Sequence, residues 1–383
     1  MRFIHTADWH LGRLFYGLHL TEDQAHVLDQ LIELARSVCP DAVVVSGDIY
    51  DRAVPPPDAV RLLDYVLSRF ILDLRIPVIM IAGNHDSPDR LGFGSKVMAA
   101  EDLHIFGSPA PTAECVTLDD RAGTVRFYAI PYAEPAVVEA ALELEQGRDH
   151  QAVMTAYLKQ VRSRHPQGNR SVLVAHAFVA GGEESESERP LSVGGADRVS
   201  AELFEDFNYV ALGHLHRPQA AGRESVRYAG SLLKYSFADG DQPRTVSLVE
   251  IDESGKATVE NVALTPRRDV RRIEGYLDQL LNDPDLYGSR QDYLMVTLLD
   301  TQPILDLMGK LRQIFPNVLH VERPHLTARG DKSAGRQDHR RMNDLDLFSG
   351  FFQEVTGDPL TMDQRTVFQT VVDELRRKER EVL

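Results

Sequence analysis

The stretch from Pro77 to Asp86 constrains the fold of this chain more than any other. Val78 to Ala82 is wholly apolar, which is typical of a short strand buried on both faces of a sheet. The run ends at a glycine and is followed at once by Asn84, His85 and Asp86. Because chemistry in open α/β sheets gathers at the carboxyl ends of parallel strands, these side chains are candidates for a functional site. Taken alone, the same residues also fit an ordinary polar turn.

Four other apolar runs also end in residues of the types that bind metal ions. These residues are Asp8 and His10 after the run at 2–7, Asp48 after 41–46, His176 after 171–175, and His214 and His216 after 207–212. In an extended chain, side chains two residues apart lie on one face, about 6.5 Å from each other. Each motif alone has a plain explanation, such as a chance pair in a loop or a structural histidine. Their recurrence at strand ends favours one shared site.

The intervening sequence predicts an α/β fold. A capping box at Thr21 and Gln24 precedes helical apolar spacing up to Val38, and residues 58–71 form a second amphipathic helix. The order strand, helix, strand, helix, strand implies parallel strands with right-handed crossovers. Further predicted elements are strands at 103–106, 125–130, 228–231 and 245–251, a mostly helical segment at 135–161, and an exposed, glutamate-rich loop at 181–190.

The predicted site has the ligand chemistry of a pair of divalent cations. Its ligands are Asp8, His10, Asp48, Asn84, His176, His214 and His216, all oxygen or nitrogen donors, which suit Mn(II), Fe(II) or Zn(II). Asp48 is the predicted bridge, because the two oxygens of a carboxylate bind independently. A single zinc site with spare structural histidines is the alternative, but it leaves the bridging carboxylate and the amide unexplained.

His85 is the candidate catalytic residue. It follows the ligand Asn84 directly, where an imidazole is placed to give a proton to the leaving alkoxide. Asp86 is expected to orient the imidazole. Asp51 either hydrogen-bonds to the histidines without contacting a metal or is simply a turn residue. The turn residue is the favoured interpretation.

Charge and cysteine content narrow the class of protein. The formal net charge of −16 does not suggest a nonspecific nucleic-acid binder, but it fits an enzyme that gathers carboxylates around cations. Cys39 and Cys115 are predicted to be buried thiols of a cytosolic protein. No signal-peptide pattern follows Arg2 and no apolar run is long enough to span a bilayer, so a cytoplasmic location without membrane contact is expected.

The sequence changes character after about residue 265. A helix at 273–281, a strand at 293–299, a helix at 304–315 and a strand at 318–322 predict a small α/β unit. Residues 323–342 lack periodicity and are rich in Arg, Gly, Asp and Lys, which is typical of a linker. Two apolar-striped helices then follow within 343–383, the second behind a capping box at Thr361 and Gln364. They either dock on a partner or fold back on the body of the protein.

The motifs D-x-H, G-D-x-x-D, G-N-H-D, a lone His and G-H-x-H, in this order, resemble those of the calcineurin-like metallophosphoesterases. Longer stretches at 189–195, 209–219 and 230–237 are similar to the double-strand-break repair nucleases within that superfamily. The resemblance implies helices around a β-sheet sandwich at 1–265, a small α/β DNA-capping domain at 266–325, a linker at 326–342 and a C-terminal helical arm at 343–383.

The same resemblance implies a dimeric DNA phosphodiesterase with two Mn(II) ions. The first ion would take Asp8, His10, Asp48 and His216, and the second would take Asp48, Asn84, His176 and His214, with His85 as the catalytic histidine. The arm would bind the coiled coil of a partner ATPase, giving a heterotetramer.

Three functions remain to be compared. The first is a DNA nuclease subunit, which the extra domain, the basic linker and the aromatic C-terminal helices favour. The second is another calcineurin-like phosphoesterase, acting on phosphoproteins or small nucleotides, which needs none of these additions. The third is a noncatalytic DNA-binding scaffold, which has no need of the ligand set or of His85.

Overall fold

The structure, a computed structural model, describes residues 1–142, 149–166, 168–188, 198–240, 242–324, 344–356 and 358–381. It divides into two compact units, Met1–Asp269 and Val270–Leu383. The predicted linker at 326–342 lies outside the described residues. Within the described ranges, no helix is both long and apolar enough to cross a membrane.

The strands of the first unit follow the predicted apolar runs. In chain order they are β1 (Arg2–Thr6), β2 (Leu14–Phe15), β3 (Leu18–His19), β4 (Ala42–Ser46), β5 (Val78–Ile81), β6 (Leu103–Phe106), β7 (Glu114–Asp120), β8 (Gly123–Ile130), β9 (Arg170–His176), β10 (Phe178–Val179), β11 (Arg198–Val199), β12 (Tyr209–Gly213), β13 (Gln219–Ala221), β14 (Arg223–Tyr228), β15 (Thr245–Ile251) and β16 (Ala257–Ala263). The described helices of this unit are α1 (Thr21–Val38), α2 (Pro57–Ser68) with a π-helical extension (Arg69–Leu74), α3 (Pro88–Leu91), α4 (Ser95–Met98), α5 (Pro135–Leu142) and α6 (His150–Arg164).

Most of these strands form two sheets. The first has the order β16-β15-β1-β4-β5-β6, and β1, β4, β5 and β6 are parallel, which confirms the predicted parallel strands. The second has the order β13-β14-β12-β9-β8-β7, with β14, β12, β9 and β8 parallel. The parallel strands of both sheets therefore have a carboxyl edge at which side chains can gather.

The two sheets pack against each other as a sandwich. Phe3 of β1 contacts Phe127 and Tyr209 of the second sheet edge to face, with ring centroids 5.4 and 5.6 Å apart. Polar contacts also cross between the sheets: the Ser46 hydroxyl donates to the carbonyl of Ala211 (3.1 Å), and His5 Nε2 lies 3.2 Å from the carbonyl oxygen of Leu212. These contacts fix the separation of the sheets close to the ends of β4 and β12.

Three local predictions in the first unit are wrong. The strand predicted at 228–231 has already ended at Tyr228, the last residue of β14, and residues 229–231 are not in a strand. Thr21 does not cap α1: the cap position is Leu20, which makes no side-chain cap bond, and the Gln24 side chain is engaged elsewhere. Cys39 and Cys115 are exposed rather than buried.

The second unit contains a parallel sheet of β17 (Val270–Gly275), β18 (Tyr293–Leu298) and β19 (Val318–Glu322). It is covered by α7 (Leu277–Asn282) and α8 (Leu307–Ile314), and Leu280, Leu311 and Phe315 are fully buried in its core. The predicted helix at 273–281 is therefore partly wrong, because Ile273 lies in β17 and the helix starts at Leu277.

The unit ends in two helices, α9 (Asp344–Thr356) and α10 (Met362–Glu381). The predicted capping box at the start of α10 is confirmed: the Gln364 N–H donates to the Thr361 hydroxyl (3.3 Å), and the Thr361 N–H donates to Oε1 of Gln364 (2.9 Å). Phe348 and Phe368 stack between the two helices with centroids 4.0 Å apart.

Candidate metal centre

The structure brings all the predicted ligands to one place, where the carboxyl edges of the two sheets meet. Asp8 and His10 follow β1, Asp48 follows β4, and Asn84 follows β5. On the second sheet, His176 is the last residue of β9, and His214 and His216 follow β12. The ligand side chains apart from Asn84 are buried, so the site lies at the base of the strand ends rather than on the surface.

Glycines before the ligands allow this close approach. A Cβ on Gly213 would lie 1.8 Å from the carbonyl oxygen of Ser46, and a Cβ on Gly83 would lie 2.1 Å from Oδ1 of Asp48. A Cβ on Gly47 would meet Nδ1 of His176 at 2.3 Å. The glycine of each motif is thus a steric requirement of the ligand cluster.

Several ligands also hold an unusual backbone conformation. Asp8, His10 and Asp48 have φ of 52°, 46° and 50°, and His214 has φ of 110°. Positive φ costs free energy in a non-glycine residue and is found most often at functional sites. The Asp8 carboxylate stabilises one such position by accepting the N–H of His214 (3.0 Å).

One group of ligand atoms gathers around His10. Its Nε2 lies 3.0 Å from Nε2 of His216 and 3.6 Å from Oδ2 of Asp48. Asp8, His10 and His216 offer ligand atoms that all lie within 4.8 Å of one another.

A second group gathers around Asn84. Its Oδ1 lies 2.9 Å from Nε2 of His176 and 3.3 Å from Nδ1 of His214. Asp48 Oδ2 is 3.6 Å from Nε2 of His176, the same distance as it is from His10 in the first group. Asp48 therefore lies between the two groups.

The electrostatics of the cluster favour cations. Burial lowers the pKa of His10, His176 and His216, and lowers that of His214 to about 3, so the imidazoles are neutral lone-pair donors at physiological pH. Burial and the nearby Asp48 carboxylate raise the pKa of Asp8 well above its usual range. Burial would also raise the pKa of Asp48, but the adjacent imidazoles of His176 and His10 outweigh it and lower this pKa to about 2.

The cluster passes a test of fit for divalent ions. Ligand atoms that share one cation at about 2.0–2.2 Å lie roughly 3–3.5 Å apart, which matches the separations around His10 and Asn84. Buried carboxylates surrounded by neutral imidazoles are costly unless a positive charge compensates them. The donor set is oxygen and nitrogen without sulfur, which suits hard or borderline divalent metals.

His85 lies at the rim of the cluster. Its ring contacts that of His10 edge to face at 4.7 Å, and its backbone N–H donates to Oδ1 of Asp48 (2.9 Å). Its Nδ1 lies 2.9 Å from the carbonyl oxygen of Asp51, an acceptor, so Nδ1 carries a hydrogen. Nε2 is the ring nitrogen left for a substrate.

The supporting roles of Asp86 and Asp51 differ from those expected. Asp86 does not orient His85; its carboxylate accepts the N–H groups of Gly83, Ile49 and Tyr50, tying the turn after β5 to the turn after β4. Asp51 is more than a turn residue. Its carbonyl holds His85, and its carboxylate lies 3.5 Å from Nδ1 of His10 and accepts a hydrogen bond from Arg13 (2.8 Å).

Sequence reasoning missed three residues that contact the ligands. The buried Gln24 amide donates to the carbonyls of Trp9 (3.1 Å) and His10 (2.7 Å), so it supports the turn after β1. Ser187 and Glu188, in the segment predicted to be an exposed loop, bond to His216. No local pattern indicates that Gln24 supports a ligand. Ser187 and Glu188 directly precede the stretch at 189–195, whose resemblance to the repair nucleases was a signal that could have found them.

The chain was compared with known protein families and solved structures. Residues 1–218 match the family model described as calcineurin-like phosphoesterase, and residues 266–356 match the one described as Type 5 capsule protein repressor C-terminal domain. Two solved structures also align: a protein of Thermus thermophilus (13% identity, 68% of this chain and 98% of that one, TM-score 0.39) and a dimetal phosphatase of Danio rerio (12% identity, 70% and 99%, TM-score 0.40).

A curated relative covers almost the whole chain. SbcD, the nuclease subunit of the SbcCD complex of Staphylococcus saprophyticus, is 33% identical over 375 residues, which are 98% of this chain and 98% of the relative. The chain therefore belongs to the calcineurin-like phosphoesterases and, within them, to the family of SbcD nuclease subunits. Members of this class are metal-dependent hydrolases of phosphate esters, which confirms the predicted enzyme class, fold and family.

Proposed function

We propose that this protein is the nuclease subunit of an SbcCD-type complex, a manganese-dependent DNA phosphodiesterase that acts in DNA end processing, repair and recombination. It would cut duplex DNA as an exonuclease and single strands or hairpins as an endonuclease. The observation that carries the proposal is the full-length similarity to a nuclease subunit, which extends through the second unit and beyond the phosphoesterase body. A cytoplasmic location follows from this role, since the DNA substrate lies there.

The buried cluster supports a two-cation site. Asp8, His10, Asp48 and His216 would hold one ion, and Asp48, Asn84, His176 and His214 would hold the other, as the two groups around His10 and Asn84 indicate. When bound, a pair of divalent ions neutralises the phosphate and makes a water acidic enough to act as nucleophile. Manganese is the proposed metal, because mixed carboxylate, amide and imidazole ligands suit it.

His85 would supply the proton that the leaving alkoxide needs. The Asp51 carbonyl accepts the Nδ1–H, so the proton given to the alkoxide would come from Nε2 of the imidazolium form, which becomes the neutral imidazole. The bond from its own backbone N–H to Asp48 would hold the ring beside this ligand.

Cleavage of defined substrates tests the proposal. The purified protein with Mn(II) is expected to degrade linear duplex and hairpin DNA, and to hydrolyse a phosphomonoester much more slowly. Mg(II) and Zn(II) at equal concentration give the metal preference. Hydrolysis of phosphoproteins or small nucleotides without DNA cleavage would contradict the proposal and support the other phosphoesterase function.

The helix pair α9–α10, the described part of the predicted arm at 343–383, is proposed to bind the coiled coil of an SbcC-like ATPase. Phe348 and Phe368 hold the pair together, yet Phe351 and Val367 remain 60% and 64% exposed. Such apolar side chains on paired amphipathic helices fit a helix-in-groove contact. Phe351→Glu with Val367→Glu should abolish co-purification with the ATPase and any ATP-stimulated duplex cutting while leaving single-strand cutting intact. Gln353→Glu, an exposed control on α9, should not; an unchanged complex with the double variant would contradict the docking role.

A homodimer is proposed through the segment after the G-N-H-D turn. Phe93 and Val97 are 84% and 77% exposed within one short stretch, which is unusual for large apolar side chains. Sedimentation should show a dimer that Phe93→Glu converts to a monomer and that Lys96→Glu leaves intact. A monomeric wild-type protein would exclude the dimer.

With the ATPase, the dimer would form a heterotetramer. The small α/β domain at 266–325 would cap the DNA.

A further inference from the structure

The segment that ends at Glu188 has no part in the function proposed so far. It leads into the stretch at 189–195, which resembles the double-strand-break repair nucleases. Its described end does not extend into solvent but folds against the ligand His216. Glu188 Oε1 accepts the backbone N–H of His216 at 2.7 Å, and Ser187 Oγ lies 2.7 Å from the imidazole Nδ1. His216 is therefore held at its backbone and its ring by the same segment.

Ser187 also contacts a carboxylate behind it. Its Oγ lies 3.2 Å from Oδ1 of Asp239, which is buried. Asp239 Oδ2 accepts the backbone N–H groups of Tyr235 (2.9 Å) and Ser236 (3.2 Å) and pairs with the Arg244 guanidinium (2.6 Å). Because Asp239 accepts these N–H groups and pairs with a guanidinium, its Oδ1 is the acceptor for the Ser187 hydroxyl.

The direction of each hydrogen bond follows from this chemistry. The Ser187 O–H donates to Asp239, which leaves a lone pair of the same oxygen to accept the Nδ1–H of His216. A neutral imidazole has one ring hydrogen, so Nε2 then carries a lone pair. That Nε2 is the atom that lies 3.0 Å from Nε2 of His10, on the side of the first ligand group.

We propose that Ser187 is a positioning residue for metal binding. Its hydroxyl connects Asp239 to His216 by two hydrogen bonds, and so fixes the tautomer and the ring orientation of His216. The inference rests on the proposed metal centre. Partners of this kind, behind a ligating histidine, typically change metal affinity by 10–100-fold when removed. Here the Ser187 hydroxyl lies between His216 and the Asp239 carboxylate, so both the hydroxyl and the carboxylate are needed to hold the imidazole ring.

Calorimetric titration of the metal-stripped, full-length protein with Mn(II) tests the role. Ser187→Ala should weaken one of two binding steps by about 10–100-fold and leave the other unchanged, because His216 belongs to one ligand group only. Ser187→Thr, which keeps the hydroxyl, should restore the wild-type affinity. Glu186→Gln, a matched control at an exposed position of the same segment, should bind like the wild type. At saturating Mn(II), Ser187→Ala should regain most of its activity, since Ser187 is not proposed to touch the substrate.

Three results would overturn the inference. Wild-type binding of both ions by Ser187→Ala would show that the hydroxyl does not position His216. Equal weakening in Glu186→Gln would assign the effect to general disturbance of the segment. A wild-type protein that binds no Mn(II) would overturn the proposed metal centre itself, and the inference with it, which is distinguishable from a failure of Ser187 alone.

Discussion

The two sheets of the first unit contribute different chemistry to the metal centre. The turns of the first sheet carry the acidic and amide ligands, Asp8, Asp48 and Asn84, together with His10, whereas the second sheet supplies only imidazoles. Burial lowers the pKa of His176, His214 and His216, so these ligands are neutral. In the proposed centre, the negative charge that attracts cations would therefore come from the first sheet, and imidazoles of the second sheet would complete the coordination.

Neither sheet alone forms either ligand group, because His10 faces His216 and Asn84 faces His176 and His214 across the sandwich. The centre depends on how closely the strand ends of β4 and β12 approach. We call the region where the two sheets meet near the ends of β4 and β12 the seam. Contacts of Ser46, Gly213 and His5 at the seam set the distance between the two sheets, and so the geometry of the site.

Removing the charge of the first sheet should have the largest effect. Asp48→Asn takes an anionic ligand from both groups, so nuclease activity should fall to background and the metal-induced rise in melting temperature should disappear. His176→Ala, on the second sheet, removes a neutral ligand from one group only. It should keep one tightly bound ion by elemental analysis. If Asp48→Asn retained both ions, Asp48 would not be the bridge.

His85→Ala tests a residue that contacts the cluster without belonging to either proposed ligand set. Losing a general acid should lower the rate of DNA cleavage by about 10²–10⁴-fold. DNA affinity and metal content should stay at wild-type values, measured by fluorescence anisotropy and elemental analysis. A near-wild-type rate would remove His85 from the mechanism.

Gly213→Ala tests the seam without changing any ligand. The added Cβ would lie 1.8 Å from the Ser46 carbonyl, which is backbone and cannot move aside. Overpacking of this kind costs about 1–3 kcal/mol, so both unfolding free energy and Mn(II) affinity should drop. Gly350→Ala is the control, because nothing lies within 4 Å of its added Cβ in α9, and it should be neutral or slightly stabilising. Unchanged Mn(II) affinity in Gly213→Ala would mean that the spacing of the sheets does not control the site.

The last prediction concerns the pH dependence of stability, and its effect is confined to acidic pH. Burial lowers the pKa of His5 to about 3 in the folded protein, below the value near 6.5 expected when unfolded. The unfolded chain therefore binds the proton first, and stability is lost as pH falls from about 6.5 towards 3, by up to about 1.4 kcal/mol per unit. His5→Gln should reduce this slope by one proton in denaturant titrations of metal-free protein at pH 4–7. An unchanged slope would contradict the assignment of this proton to His5.

The sequence predicted that the proposed ligands lie together, because a local rule marks each of them as a residue at a strand end. A buried apolar run followed by Asp8, Asp48 or Asn84 already indicates a strand end, and parallel strand ends share one edge. The parallel crossovers and the apolar strands follow from the same periodicity. The assignment of each ligand to a particular ion stays a prediction.

The supporting contacts were not predictable, because they join residues that are distant in the chain. Gln24 fits a capping box by spacing, but the turn after β1 takes its amide. Asp86 is adjacent to His85, yet its carboxylate bonds to the backbone of Ile49 and Tyr50. Ser187 meets His216 only because the segment after β10 folds against the residues that follow β12, which no local pattern encodes.

The most direct test of the account is anomalous scattering from crystals grown with Mn(II). Two peaks about 3.5–4 Å apart, one on each side of Asp48, are expected, with His10 and His216 at one and Asn84, His176 and His214 at the other. A single peak, or two peaks that do not share Asp48, would contradict a two-cation centre built across the seam of the sheets.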